Sequence, residues 1–194
     1  QRQMCIRDSV GTGQSKDDKQ TKDFYRFDPT APSGSQWSIV NGFGGQKRTG
    51  GLSFIIDNVA YIVGGTNNGQ DVTDFWKFDP STESWTQLRD ISDSSDEDYD
   101  DDYTITRTNG VAFVIDGAAY LTCGESGSLR SDTWKYYPAT DLWENVAKFK
   151  GTARTATASF SSGEKGFVVS GKSGTTQFDD IWEFHPNEYD DDEY

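Results

Sequence analysis

One pattern recurs three times along this 194-residue chain with fixed internal spacing. Each copy opens with an arginine, followed by an aromatic residue six positions later, a second aromatic residue thirteen positions later and a glycine seventeen positions later. The copies are Arg48, Phe54, Tyr61 and Gly65; Arg107, Phe113, Tyr120 and Gly124; and Arg154, Phe160, Phe167 and Gly171. A repeat of about 50 residues indicates an array of supersecondary units, because one such unit cannot bury its apolar face alone.

Each copy continues into an aspartate–aromatic segment and is divided by turn residues into four short strands. The segments are Asp74-Phe75-Trp76, Asp132-Thr133-Trp134 and Asp180-Ile181-Trp182, and we expect their tryptophans to be buried between neighbouring copies. The predicted strands are residues 51–56, 59–63, 74–78 and 83–88 in the first full copy, and 111–115, 118–123, 132–136 and 142–146 in the second. Asp57-Asn58 and Asp116-Gly117 fit two-residue hairpin turns. The sequence therefore predicts an all-β fold.

These copies resemble kelch repeats, each of which forms one four-stranded blade of a β-propeller. The resemblance lies in the paired glycines Gly64-Gly65, in Tyr61 before them, and in Trp85, nine residues after Trp76. Residues 137–143, YPATDLW, and 180–186, DIWEFHP, are similar to bacterial cell-envelope kelch proteins of the lipoprotein type. The resemblance covers residues 10 to about 186. It implies a partial, open kelch-type propeller, the C-terminal part of a six-bladed ring, with an extracytoplasmic location in the bacterial cell envelope.

The repeat boundaries divide the chain into successive blades. We expect a partial blade at residues 10–40, complete blades at 48–88 and 107–146, and a blade without its fourth strand at 154–186. An acidic inter-blade insert at 89–106 and an acidic tail at 187–194 complete the division. The family resemblance implies that the other terminus of the protein supplies the missing strand.

Residues 1–9, QRQMCIRDS, stand outside the repeat. They correspond in frame to a transposon end used in preparing sequencing libraries, so we expect them to be adapter-derived rather than native. On this interpretation the native protein extends further upstream, and Cys123 is its only cysteine within this chain. A single cysteine at the end of an apolar strand indicates a small buried side chain rather than a disulfide framework.

The formal net charge of −14 disfavours nucleic acid as a partner, since such binding relies on cations that neutralise phosphates. The sequence has no apolar run long enough for direct membrane insertion. The acidic insert is interpreted as a solvated loop, with a Ca²⁺ site at Asp96, Asp98 and Asp100 or a docking loop for a basic partner as alternatives. Because its acids are contiguous and it lacks the glycine typical of Ca²⁺ loops, no metal or other cofactor is predicted.

The recurrent arginines Arg48, Arg107 and Arg154 open the innermost strands, near the predicted mouth of the central channel. They can be interpreted as binding residues, because guanidinium groups grip carboxylates through paired hydrogen bonds. Alternatively, each pairs with the aspartate of its own copy, at position 74, 132 or 180. One cation and one anion in every copy favour the structural pair.

The chain contains a single histidine, His185, which cannot supply a copper-oxidase ligand set or a Ser-His-Asp triad. We therefore predict a non-catalytic binding module for a protein or glycan ligand. The ligand is expected to contact the face that carries the loops after Gly65, Gly124 and Gly171 and the acidic insert. The alternative is a fragment of a carbohydrate-active or galactose-oxidase-like propeller enzyme whose active site lies upstream.

Overall fold

The computed structural model describes residues 8–92 and 104–186, which form β-strands, turns and irregular connections. The strands are β1 (Asp8–Gly11), β2 (Phe24–Phe27), β3 (Trp37–Val40), β4 (Leu52–Ile56), β5 (Val59–Val63), β6 (Thr66–Asn67), β7 (Gln70–Asp71), β8 (Phe75–Asp79), β9 (Ser84–Gln87), β10 (Val111–Ile115), β11 (Ala118–Thr122), β12 (Glu125–Ser126), β13 (Ser128–Leu129), β14 (Asp132–Tyr137), β15 (Leu142–Lys148), β16 (Ala158–Ser161), β17 (Gly166–Val169), β18 (Lys172–Ser173), β19 (Thr176–Gln177) and β20 (Ile181–Phe184). The all-β prediction is confirmed for this part of the chain.

Four antiparallel sheets follow one another along the chain, and we call them blades one to four. Blade one is β1-β2-β3, blade two is β4-β5-β8-β9, blade three is β10-β11-β14-β15 and blade four is β16-β17-β20. The four-stranded units predicted for blades two and three are confirmed, with strand ends within two residues of the expected positions. Strand β1 pairs Asp8 with Phe27 and Ser9 with Arg26, so regular pairing begins before residue 10.

The tight turns between first and second strands form as the sequence predicts. Asp57 and Asn58 have φ angles of 50° and 64°, and Asp116 and Gly117 have φ angles of 49° and 74°. Positive φ at both central residues is the type I′ geometry, whose twist matches that of the paired strands. These turns fix the register that places Phe54 opposite Tyr61 in blade two.

A short hairpin that the sequence analysis missed lies between the second and third strands of blades two, three and four. The pairs are β6 with β7, β12 with β13, and β18 with β19. Each strand has only two residues, too few to show the period-two alternation that identifies a strand in sequence. The predicted loops after Gly65, Gly124 and Gly171 are therefore ordered hairpins.

Blades pack face to face through aromatic side chains. We call the face toward the following blade the front face and the opposite face the back face. On the front face of blade two, Phe54 and Tyr61 stack at 4.9 Å, and Tyr136 of blade three lies 5.6 Å from Tyr61. The same arrangement recurs between blades three and four, where Phe184 lies 5.1 Å from Tyr120. The buried core consequently lies between blades rather than within one.

The tryptophans of the aspartate–aromatic segments differ in burial. Trp134 is buried, as predicted, whereas Trp76 and Trp182 are only half-buried. Trp134 belongs to a buried cluster that also contains Ile91 and Ile105 from the connection between blades two and three. The corresponding connections provide Phe43 beside Trp76 and a single phenylalanine, Phe149, beside Trp182. Residues 93–102, which belong to the acidic insert interpreted as a solvated loop, lie outside the described residues.

The fourth-strand tryptophans show how much of this burial depends on a preceding blade. Trp143 lies 5.5 Å from Phe75 of blade two and is 6% exposed. Trp37 occupies the same repeat position in blade one and is 55% exposed. Each has an aromatic partner within its own sheet, Tyr136 or Phe27, so only the contact with a preceding blade distinguishes them.

Replacing Trp143 with alanine should lower the free energy of unfolding by about 3–5 kcal/mol, because truncating a buried tryptophan leaves a cavity. Trp37→Ala is the matched control and should cost at most about 1 kcal/mol, since much of that side chain stays in water. Urea denaturation of the parent chain and of the two variants measures both losses. Equal losses would contradict the dependence on the preceding blade.

Candidate functional site

The three recurrent arginines lie in the interior of the fold. The side chains of Arg48 and Arg107 are 0% exposed and that of Arg154 is 1% exposed. A buried guanidinium is stable only when its charge and its N–H groups are matched by nearby oxygen atoms. The surroundings of these side chains therefore decide what they can do.

Arg107 shows the arrangement most completely. Its Nη2 donates to Oδ2 of Asp132 at 2.7 Å, and its Nη1 donates to the carbonyl oxygen of Cys123 at 3.2 Å. Its Nε donates to the carbonyl oxygen of Ile105 at 2.9 Å. The side chain thus joins the entry to the first strand, the end of the second strand and the start of the third.

Arg48 and Arg154 repeat these contacts at equivalent positions. Nη1 donates to the carbonyl oxygen of the residue sixteen positions later, Gly64 or Ser170, at 3.1 Å in both blades. Arg48 also hydrogen-bonds Asp74, and Arg154 donates from Nη2 to Oδ2 of Asp180 at 3.0 Å. The accepting carbonyls belong to residues with φ angles of 65° and 56°, and that of Cys123 has 59°.

The backbone of each arginine links its blade to the preceding one. The amide nitrogens of Gly13, Gly65 and Gly124 donate to the carbonyl oxygens of Arg48, Arg107 and Arg154, respectively, at 2.7–2.8 Å. Glycine is required at position 65, because a Cβ there would lie 2.7 Å from the carbonyl oxygen of Thr49 and the φ angle is 93°. Each arginine therefore joins strands within its blade through its side chain and joins two blades through its carbonyl group.

In blades three and four, the tryptophan two residues after the aspartate donates a hydrogen bond to it, whereas the indole nitrogen of Trp76 in blade two has no partner among the described residues. The indole nitrogen of Trp134 donates to Asp132 at 2.5 Å, and that of Trp182 donates to Asp180 at 2.8 Å. Burial raises the pKa of Asp132, but Arg107, Thr104 and Trp134 outweigh it, so the pKa lies below the usual value. The hydrogen bond from Arg154, with help from Trp182, lowers the pKa of Asp180 to about 2.

The predicted pairing of Arg48, Arg107 and Arg154 with Asp74, Asp132 and Asp180 is confirmed. A ligand anion could reach these guanidinium groups only by displacing a carboxylate or a backbone carbonyl. The alternative role as binding residues at the channel mouth stays a prediction, and the pairing gives it no support.

Arg107→Ala should lower the free energy of unfolding by about 3–5 kcal/mol, because it leaves a carboxylate without its partner. Arg107→Lys should recover only part of this loss, since an ammonium group cannot reproduce the planar set of donors. Arg89→Ala is the surface control, as Arg89 lies 3.9 Å from Asp141 with 40% of its side chain exposed. Chemical denaturation should place the control within about 1 kcal/mol of the parent. A similar result for Arg107→Ala would contradict the structural role.

Asp180 provides a test by pH. Its pKa is about 2 in the folded chain against an ordinary value of 3.8, so its ionised form stabilises the fold above pH 3.8. That stabilisation is lost as the pH falls through 2. Asp180→Asn should therefore melt at a lower temperature than the parent at pH 7, and the difference should disappear near pH 2. A constant difference across this window would show that the charge of Asp180 does not contribute.

The hairpins emerge at one end of the blades because, in an antiparallel meander, second-to-third and fourth-to-first connections share one side. We call the surface formed by β6–β7, β12–β13 and β18–β19 the hairpin face. Each hairpin is joined to the residue after the arginine by a β-bridge, pairing Thr49 with Thr66, Thr108 with Glu125, and Thr155 with Lys172. The buried arginines thus anchor the base of this face.

Side-chain hydrogen bonds connect neighbouring hairpins. Ser126 donates through Oγ to Asp71 at 2.5 Å, which joins the hairpins of blades two and three. The amide of Asn68 donates to Oε1 of Gln20 at 2.7 Å, which joins blade two to the corresponding connection of blade one. These links hold polar groups at fixed separations across blades.

The exposed side chains of the hairpin face are polar and mostly uncharged. The exposed members are Asn68, Gln70, Asp71, Ser128, Lys172, Thr175, Thr176 and Gln177. Amide and hydroxyl groups both donate and accept hydrogen bonds, so they suit ligands rich in hydroxyl or peptide groups. Sequence analysis placed the ligand loops here by strand order but did not identify these residues.

The acidic insert leaves the fold from a fixed base at the same end. Ile91 and Ile105 are both 0% exposed, and Thr106 donates through Oγ1 to the carbonyl oxygen of Ile91 at 3.0 Å. Ile91 and Ile105, which lie near the two ends of the predicted insert of residues 89–106, are therefore packed into the fold. Asp96, Asp98 and Asp100, the candidate Ca²⁺ ligands, lie outside the described residues.

A cavity of about 650 Å³ lies along the inner strands near the free edge of β1. Its lining includes Ser53 and Ile55 from β4, Ala112 from β10 and Phe160 from β16. Within residues 8–92 and 104–186, no group of three histidine, cysteine or acidic residues is placed to hold a metal ion. Burial raises the pKa of the Cys123 thiol to about 11, so this side chain is neutral at ordinary pH.

Comparisons with known proteins agree with this architecture. Residues 47–92, which cover blade two, match the family model of the Kelch motif. The chain is similar to the solved structure of YjhT, with a TM-score of 0.64 and 18% sequence identity over 84% of this chain and 56% of that one. It therefore spans little more than half the length of that structure. A comparison with curated proteins finds no match.

The described sheets and these similarities identify the fold as a kelch-type β-propeller arranged as an open arc. Among the described residues, no helix has the length and apolar character needed to cross a membrane. At this level of identity the likeness concerns fold alone, since propellers support many unrelated functions.

Proposed function

We propose that this chain is a non-catalytic binding module whose hairpin face recognises a protein or glycan ligand. The observation that carries the proposal is the repetition of one polar hairpin in three successive blades, each anchored beside a buried arginine. Binding residues concentrate on connections held by a rigid scaffold, and these hairpins have that form.

The hydrogen bonds between hairpins favour binding in a second way. A surface whose side chains are already held in place loses less conformational entropy when a ligand binds. The bonds from Ser126 to Asp71 and from Asn68 to Gln20 provide such order across blade boundaries. The net charge of −14 selects against polyanionic ligands and leaves neutral glycans, neutral peptides and basic protein surfaces as suitable ligands.

The alternative is that the chain forms part of a carbohydrate-active or galactose-oxidase-like propeller enzyme. What favours it is the 650 Å³ cavity along the inner strands, which is large enough for a small molecule. His185 does not help such a site, because it lies beside Glu183 at 2.8 Å, after β20 and at the opposite end of the blade from the hairpin face. We also propose an extracytoplasmic location in the cell envelope, on the basis of the resemblance to envelope kelch proteins.

The proposal is tested by probing arrays of glycans and of immobilised peptides with the labelled chain, followed by affinity measurement on any ligand found. Asn68→Ala, Gln70→Ala and Gln177→Ala should each weaken binding about tenfold, the equivalent of one lost hydrogen bond of about 1.4 kcal/mol. Glu164→Ala, on an exposed turn at the opposite end of blade four, is the control and should bind like the parent.

Loss of binding in the Glu164→Ala control, or unchanged binding in all three hairpin variants, would exclude the hairpin face as the site. Turnover of an arrayed glycan by the chain would instead support the enzymatic alternative.

A further inference from the structure

Arg130, in the hairpin region of blade three, occupies a position that is apolar in blades two and four. It directly follows β13, and its amide nitrogen donates to the carbonyl oxygen of Gly124 at 2.8 Å. The amides of Val72 and Phe178 make the same bond, at 2.9 Å, to the glycine that precedes their own hairpins. The three residues are therefore structurally equivalent, and only blade three has a charged side chain there.

The apolar residues at this position need no polar partner. In blade four, the ring of Phe178 covers the buried arginine of its repeat, with 4.0 Å between the ring centroid and Cζ of Arg154. In blade two, Val72 is 0% exposed. A guanidinium group at the same position has to satisfy a charge and five N–H bonds, so Arg130 is the costlier choice.

The side chain of Arg130 is not satisfied where it lies. Its Nε is buried and has no hydrogen-bond partner, and no carboxylate of the described residues forms an ion pair with it. Burial lowers the pKa of the nearby Arg107, Asp132 raises it, and the charge of Arg130 lowers it again. An unpaired buried donor and two neighbouring like charges both destabilise the folded chain. Local conflicts of this kind are expected at functional sites.

The carboxylates nearest to Arg130 in the sequence are engaged by other groups. Asp132 is held by the buried arginine of blade three and by the indole of its own segment. Oε1 of Glu125, on the same hairpin, accepts hydrogen bonds from Asn109 and Thr155 at 3.4 Å. Because the side chain of Arg130 is only half-buried, its terminal nitrogens stay accessible to a group from outside the chain.

We propose that Arg130 is a carboxylate-binding residue of the hairpin face and that the ligand is a glycan carrying a hexuronic acid residue. This role depends on the binding function proposed above and adds the chemical class of the ligand. The guanidinium would bind the carboxylate through charge-assisted hydrogen bonds, and the amide and hydroxyl side chains of the hairpins would bind sugar hydroxyls.

The composition of the hairpin face favours a glycan over an acidic peptide. Within residues 66–71, 125–129 and 172–177, none of the exposed side chains is apolar. The face therefore lacks the large apolar or aromatic anchors that protein interfaces use. The formal charge of −14 disfavours polyanions, so the carboxylate should be isolated among neutral sugars.

Replacing Arg130 with valine, the residue of blade two, separates a binding role from a structural one. Arg130→Val should raise the melting temperature by about 2–4 °C, because it removes an unpaired donor and the repulsion of Arg107. A gain in stability together with a loss of binding is the signature of a residue kept for function. A lower melting temperature for Arg130→Val would show that the side chain supports the fold, and would overturn the proposal.

The binding test compares methyl glucuronide, which has a free carboxylate, with its neutral methyl ester, each titrated into the full chain and followed by NMR. The parent should bind the acid about tenfold more tightly than the ester, the effect of one charge-assisted hydrogen bond. Arg130→Val and Arg130→Gln should bind both compounds equally. Asn68→Ala should weaken both to the same extent. Arg26→Gln removes the same charge at the opposite end of the blades, where Arg26 pairs with Glu83, and should keep the preference.

Three results would overturn the role of Arg130: no binding of the acid, equal binding of acid and ester by the parent, or a preference that survives in Arg130→Val. The arrays of neutral glycans and peptides would still decide whether the hairpin face binds a ligand, so the two proposals fail separately. If the amide of N-acetylaspartate bound through Arg130 more tightly than the glucuronide, an acidic peptide would replace the glycan and this assignment would be wrong.

Discussion

The fold depends on burying three positive charges where they can hold several strands at once. An uncompensated guanidinium in the interior would destabilise the chain, but each of these arginines meets a carboxylate and two or more backbone carbonyls. The same residue then offers its own carbonyl to the preceding blade. The side chain connects strands within a blade and the carbonyl group connects that blade to the preceding one, so one residue in each repeat stabilises both the blade and its junction with the preceding blade.

Because the fold relies on one buried arginine in each repeat, the arginine–aspartate pairs were among the features that the sequence could predict. The arginine and aspartate recur with equal spacing, so their pairing followed from counting charges in each copy. Asp57-Asn58 and Asp116-Gly117 carry their turn geometry in their own residue types and also followed directly. The short hairpins did not, since strands of two residues have no periodicity and are stabilised by bridges to residues far away in sequence.

The burial of a repeated side chain could be predicted from the sequence only where the sequence also indicates which residues pack against it. Trp37 and Trp143 are equivalent in the repeat, yet their exposures of 55% and 6% differ because a preceding blade covers only one of them. Trp76 and Trp134 differ for another reason, which is the residues that the blade connections supply. The candidate site shows the same limit: strand order indicated the end of the blades at which it lies, but not the bonds from Ser126 and Asn68 that organise its surface.

The two packed ends of the acidic insert allow the segment between them to be replaced without disturbing the blades. Ile91 and Ile105 are held by the core, and the hydrogen bond from Thr106 to Ile91 fixes the two ends of the segment close together. The entropic cost of closing a flexible loop grows slowly with its length, and each doubling of the length adds only about 0.6 kcal/mol to the free energy of closure. Segments of very different length and charge can therefore be exchanged between these two isoleucines at little cost to the propeller, which makes this position a natural graft site for new binding specificity.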